Sequence, residues 1–189
     1  MKFRRMRAEF TVSAEGCIYI QSMESMTIYT MSYEGRSLEK FLADLRAAGV
    51  RLVADVREAP FSRKPGFSKN ALAEALREVD MGYRHFRLLG CPRPVRDQYR
   101  EDGDWGQYTR AFMVHLNQQE STIQELAAVT RAQSTALLCY EADFNRCHRT
   151  YVARALAELS GSRVIHVMAN GLVADTTRGL QAEQLRLVS

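Results

Sequence analysis

TALLCYEADFNRCHR, residues Thr135–Arg149, reads as a strand that runs straight into a charged loop and then into a helix. Thr135 to Tyr140 is apolar enough to be covered on both faces, as strands of a parallel sheet are. Val152, Ala155, Leu156 and Leu159 mark a helix that starts near Cys147. The same grammar recurs upstream. Ile28 to Met31 is a short strand that leads into Glu34, Gly35, Arg36 and Ser37, and Leu52 to Val56 is a strand that ends on Asp55, Val56 and Arg57. Parallel strands of an α/β sheet end on one edge, so three clusters far apart in sequence are expected to converge there.

Working outward, Leu38, Phe41, Leu42 and Leu45 recur at helical spacing between a Ser37 cap and a Gly49 stop. A loop from Arg57 to Phe67 precedes a helix capped by Ser68 with Leu72, Ala75, Leu76 and Val79 as its buried stripe. Tyr83 to Phe86 is a short strand, Gly90 to Gly106 reads as loop from its prolines and glycines, and one or two helices cover Tyr108 to Thr130. Arg163 to Met168 is a last main strand, joined by an Asn170–Gly171 turn to Leu172–Ala174. The alternation predicts an α/β fold, a single-domain three-layer sandwich with a mainly parallel sheet and a C-terminal hairpin over 26–189. Residues 1–25, with Phe10, Val12, Ile18 and Ile20 weakly alternating, read as an N-terminal extension or an added edge hairpin.

At 189 residues, 46% hydrophobic and 25% charged, the chain suits one domain with its own core and excludes wholesale disorder. A net charge of +4 from 26 basic and 22 acidic residues favours an anionic partner only mildly. Cys17, Cys91, Cys139 and Cys147 show no paired CxxC spacing and read as thiols in a reducing cytoplasm. No apolar run follows the basic start at Met1–Arg7 and none is long enough to cross a bilayer, so neither a secretory signal nor a membrane partner is expected.

The chemistry-bearing residues centre on Glu141, Cys147, His148 and Arg149. A helix N-terminus favours anions and lowers a thiol's pKa, which makes Cys147 a candidate nucleophile, against the plainer reading of a small buried residue. His148 is a candidate acid, base or anion ligand, and Glu34 and Glu141 a candidate carboxylate pair. Zinc on Cys139, Cys147 and His148 with His85 or Cys91 is set aside, because the seven residues between Cys139 and Cys147 match no usual knuckle and the apolar neighbours of Cys139 assign it to the core. No metal and no cofactor are therefore called. Asp55 and Arg57 point the same way along their strand, so Asp55 either orients Arg57 toward a ligand or simply closes the strand end with it. Arg36, Ser62, Arg63, Lys64 and Lys69 read as anion contacts or as a solvated basic surface. Tyr99, Trp105 and Tyr108 offer an aromatic wall or, more simply, packing.

Four of these stretches together resemble the domain of unknown function 488 family: Thr27–Leu38 (TIYTMSYEGRSL), Leu52–Phe67 (LVADVREAPFSRKPGF), Tyr83–Arg93 (YRHFRLLGCPR) and Leu138–Arg149 (LCYEADFNRCHR). The resemblance runs from about Thr27 to about Gly171. It implies an α/β fold and a polar site at Tyr33, Glu34, Asp55, Arg57, Ser62, Arg63, Glu141, Cys147, His148 and Arg149. The chain departs from the family pattern at Ser32 and Cys91, each where a glycine is usual. A looser similarity to rhodanese-type domains rests on Asp55, Arg57 and Cys147, although the cysteine loop of that family does not match. The function expected from these residues is an enzyme acting on a phosphate-bearing ligand, a nucleotide or nucleic acid, at the carboxyl edge of the sheet. The alternatives are a noncatalytic nucleic-acid-binding module and a protein-interaction domain whose polar cluster is structural.

Overall fold

The computed structural model describes residues 26–176. The extension at residues 1–25, with its candidate edge hairpin, lies outside them. The strands are β1 (Thr27–Ser32), β2 (Leu52–Asp55), β3 (Gly82–His85), β4 (Thr135–Cys139), β5 (Arg163–Met168) and β6 (Gly171–Ala174), in the order β3-β2-β4-β1-β5-β6. All neighbouring pairs are parallel except β5 and β6. The helices are α1 (Leu38–Ala47), α2 (Lys69–Arg77), α3 (Arg93–Asp102), α4 (Trp105–Asn117), α5 (Glu120–Ala132) and α6 (His148–Ser160). The expected α/β sandwich is thus what the chain forms, with its hairpin at the C-terminal side.

Side chains alternate across the sheet as the strand period requires, and this splits the core in two. Val53 and Leu138 join Phe41, Leu45, Leu72 and Leu76 of α1 and α2 on one face. Ala54 and Leu137 join Phe112, Leu126, Val152 and Leu156 of α4, α5 and α6 on the other. β1 and β2 therefore hand the chain to one face, while β4, which lies between them, hands it to the opposite face. Such reversals, here between β2 and β4 and between β4 and β1, are where α/β sheets commonly bind ligands, outside the carboxyl ends of the strands.

Two readings of the sequence need correction. The stretch Gly90–Gly106 contains a helix, α3, because Pro92 and Pro94 occupy its N-terminal cap and first turn, where a missing N–H costs nothing. Gly103 ends it in the left-handed conformation at φ 68°. None of its residues is buried, so its apolar period is too faint to announce it. In the hairpin, Met168 pairs with Gly171, which makes Ala169 and Asn170 the connecting residues and Gly171, at φ 129°, the first residue of β6. Ser37 caps α1 as expected, accepting from the Lys40 N–H at 3.2 Å. Ser68 stands at the start of α2 but turns back, donating to the Ser62 carbonyl at 3.0 Å and accepting from the Ser62 N–H at 3.2 Å. Among the described residues, no helix is long and apolar enough to cross a membrane.

Candidate functional site

The three strand ends do reach one edge, yet they build two separate networks on opposite faces of the sheet. On the α1 and α2 face, Asp55 and Arg57 form a bidentate pair: Nε donates to Oδ1 at 2.8 Å and Nη2 to Oδ2 at 2.5 Å. Nη1 donates to the Tyr33 hydroxyl at 3.0 Å and to the Phe67 carbonyl at 2.9 Å, and the Tyr83 hydroxyl donates to Asp55 at 2.7 Å. Tyr33 and Phe67 stack at 4.5 Å to close the network. Arg57 is 5% exposed and spends four of its five N–H donors inside the protein, so it braces the edge and has little left for a ligand. Arg36 is likewise buried, held by Asp44 at 2.6 Å and the Val167 carbonyl at 2.7 Å. Ser62 accepts from the Lys64 N–H, which makes it a turn residue, and Lys64 donates to the Tyr33 carbonyl at 3.0 Å. Of the anion contacts expected in this loop, Arg63 is the one that remains exposed and makes no hydrogen bond or ion pair among the described residues.

The α4 to α6 face carries the chemistry. Cys139 is the last residue of β4, Glu141 follows two residues on, and Cys147 is the N-cap of α6 with His148 as its first residue. One donor atom from each of these four side chains lies within 4.8 Å of the other three. The Cys139 thiol donates to Glu141 Oε2 at 2.7 Å, and Cys147 Sγ lies 3.2 Å from the same oxygen. His148 donates through Nε2 to the Val56 carbonyl at 2.8 Å, and Cys139 Sγ lies beside its ring, 3.6 Å from Nδ1 and 3.9 Å from Nε2. Phe112 meets the imidazole edge to face at 5.4 Å and fixes its plane. Arg149 is 1% exposed and donates from Nη1 to the Glu141 carbonyl at 2.5 Å, while its Nε has no hydrogen-bond partner. It holds the loop and supplies positive charge behind the cluster.

That charge distribution polarises the four groups. Burial opposes ionisation of Cys147, but the Cys139 hydrogen bond and the charges of Arg149 and His148 outweigh it and hold the thiol well below its ordinary pKa. Burial pushes Cys139 well above, and the adjacent Cys147 adds to the rise. Burial also raises Glu141, with Cys147 contributing. For His148, burial acts downward but hydrogen bonding and charge from Cys147 carry the pKa above its usual value. The arrangement favours the thiolate of Cys147 and the protonated ring of His148 relative to their free forms, with the half-buried Glu141 carboxyl on the solvent side.

The remaining candidates fall into place around this pair of networks. Glu34 is exposed and accepts from the Ala142 N–H at 2.6 Å, which ties the β1 loop to the β4 loop and occupies one of its oxygens with backbone. Trp105 stacks on Tyr108 at 4.6 Å, and Tyr99 meets Trp105 at 5.5 Å, so the aromatic trio packs against itself and the core. His85 donates to the Arg57 carbonyl at 2.8 Å and stays out of the cluster, as does Cys91, whose thiol is pushed up to about 11 by burial, against the Tyr108 hydrogen bond. The residue that sequence reasoning misplaced is Cys139. It is core by burial, and the signal that it also belongs to the site is its two-residue offset from Glu141 at a strand end.

Gly90 locks the β2 and β3 loops together. A Cβ there would lie 2.1 Å from the Glu58 nitrogen and 2.8 Å from the Arg57 carbonyl carbon, both backbone atoms that cannot rotate away. Gly90→Ala is expected to cost about 1–3 kcal/mol in denaturant unfolding. It should also loosen the Val56 carbonyl that orients His148. An unchanged unfolding midpoint would show that the loops do not depend on this approach.

Fold and site together define a doubly wound α/β protein with a thiol, carboxylate and imidazole cluster at the carboxyl edge of its sheet. The chain matches the family model described as Domain of unknown function DUF488 over residues 37–156, and it belongs to that family. No curated protein and no solved structure matches it.

Proposed function

We propose that the protein is an enzyme acting on a phosphate-bearing ligand, a nucleotide or a nucleic-acid end, bound over Glu141 at the end of β4. The observation that carries this reading is the gathering of Cys139, Glu141, Cys147 and His148 at the end of β4, where the chain direction reverses between neighbouring strands. Cys147 is 1% exposed and His148 is buried against Val56, so the group presented to a ligand is the half-buried Glu141 carboxyl, in the role of proton carrier. The exposed Arg63 guanidinium is the anion contact. A module that tracks a nucleic-acid backbone would need a row of free cations, whereas Arg36, Arg57 and Arg149 are spent on internal partners. The buried free thiols Cys91, Cys139 and Cys147 suit a reducing cytoplasm.

Titration of wild-type and Arg63→Ala protein with a mononucleotide and with labelled single- and double-stranded oligonucleotides, at low and physiological salt, tests the reading. Saturable binding of the mononucleotide or of an oligonucleotide end is expected, weakened about tenfold in the variant by loss of a charge-assisted contact. Affinity that grows with strand length and falls steeply with salt would instead assign a noncatalytic nucleic-acid module. Absence of binding to any of these would remove the phosphate ligand altogether.

A further inference from the structure

We propose that Cys139, Cys147 and His148 Nδ1 are three ligands of a zinc ion, with Glu141 over its fourth position. The proposal goes beyond the reading of the ligand and does not depend on it.

The donor set is the first argument. Two sulfurs and an imidazole nitrogen select zinc among the common divalent metals, and calcium or magnesium would require oxygen donors. Spacing is the second. Bonds of about 2.3 Å to sulfur and about 2.0 Å to nitrogen put neighbouring donors of a tetrahedral zinc about 3.6 Å apart. The Cys139 sulfur and His148 Nδ1 stand 3.6 Å apart, and no donor of the group is more than 4.8 Å from another. The surroundings of the ring also suit a metal. A zinc-bound histidine typically gives its other N–H to a carbonyl or carboxylate, which fixes its tautomer, and His148 Nε2 already donates to the Val56 carbonyl. Charge is the last. Two thiolates and a carboxylate around a divalent ion leave net negative charge, and Arg149 lies behind the cluster, bound to the Glu141 carbonyl.

Glu141 is assigned to the fourth position because it is the half-exposed member of the group, whereas Cys139, Cys147 and His148 are buried. Zinc sites that act on ligands keep one position open to exchange, and structural ones close all four with protein. The chain spacing hides this site, because Cys139 ends a buried strand and a loop separates it from Cys147 and His148, which stand side by side at the start of α6.

The test is uptake of zinc and cobalt(II) by full-length protein stripped with a chelator, with no nucleotide present. One zinc per chain is expected, and cobalt(II) in its place should show thiolate-to-cobalt charge transfer and the intense bands of tetrahedral coordination. Zinc should shield Cys139 and Cys147 of the wild type from iodoacetamide. Cys139→Ser and Cys147→Ser should each weaken zinc about 100-fold or more, while Glu141→Gln stays within about tenfold and Cys91→Ser, outside the cluster, matches the wild type. Wild-type protein that takes up no zinc, or a cobalt spectrum without sulfur charge transfer, would overturn the proposal whatever the variants do. Equal loss in Glu141→Gln and Cys147→Ser would overturn the open fourth position. Because uptake is read without nucleotide and nucleotide binding can be read on stripped protein, failure of one proposal is separable from failure of the other.

Discussion

Asp55→Ala should unfold at a midpoint about 10 °C below the wild type, the largest stability loss expected from one side chain in this protein. Asp55 is 0% exposed and accepts from the Arg57 backbone N–H, from Arg57 Nε and Nη2, and from the Tyr83 hydroxyl. Without the carboxylate, the buried guanidinium keeps the Tyr33 hydroxyl and the Phe67 carbonyl but loses its counter-charge. Breaking a buried pair in this way costs about 3–5 kcal/mol, and in a domain of this size each kcal/mol lowers the midpoint by about 2–4 °C. The double variant Asp55→Leu with Arg57→Leu should recover most of the loss, since apolar replacement of a whole buried pair is near neutral. Thermal unfolding followed by circular dichroism reads both. If Asp55→Ala melted with the wild type, the pair would not be bracing the edge, and Arg57 would return as a candidate ligand for the anion.

This pair also shows where sequence reasoning reached and where it stopped. The alternation of strands and helices was readable because Leu52–Asp55 and Thr135–Cys139 are almost uninterrupted apolar runs and α1, α2 and α6 carry strong buried stripes. That Asp55 and Arg57 share a direction followed from the two-residue period of a strand. Which neighbours they meet did not follow. β4 inserts between β1 and β2 from more than 80 residues further along the chain than either, as the pairings of Tyr29 and Val53 with Ala136 show, and local periodicity carries no information on such partners. The insertion sends the β4 loop to the face opposite the β1 and β2 loops, so one expected site became a buried brace and a separate thiol cluster. Cys139 was hidden for the same reason. Its apolar neighbours report burial correctly, but burial beside His148 and Glu141 has a different meaning from burial among leucines. Helix α3 was missed because it covers no core residue and begins on prolines that otherwise signal a break.

Glu141→Gln should lower turnover of the phosphate-bearing ligand by about 10²–10⁴-fold while leaving its binding within about twofold of the wild type, the range set by loss of a positioned proton carrier. The amide preserves the size of the side chain and can still accept from the Cys139 thiol, so the fold and the loop held by Arg149 should persist. Ligand affinity depends on Arg63, which the change does not touch, so the deficit should fall on the chemical step. A paired loss in the binding constant would mean that Glu141 positions the ligand instead of moving a proton. Full turnover by Glu141→Gln would remove the carboxyl from the chemistry. The remaining groups with protons to exchange, Cys147 and His148, would then have to reach the ligand from beneath it. Both are buried, so that alternative requires the Glu141–Asn145 loop to open, and it makes a separate prediction: the alkylation rate of Cys147 would rise on ligand binding, whereas a closed loop over the ligand would slow it. Measuring turnover, affinity and thiol alkylation on the same Glu141→Gln preparation therefore decides whether the half-exposed carboxyl or the buried pair behind it handles the proton.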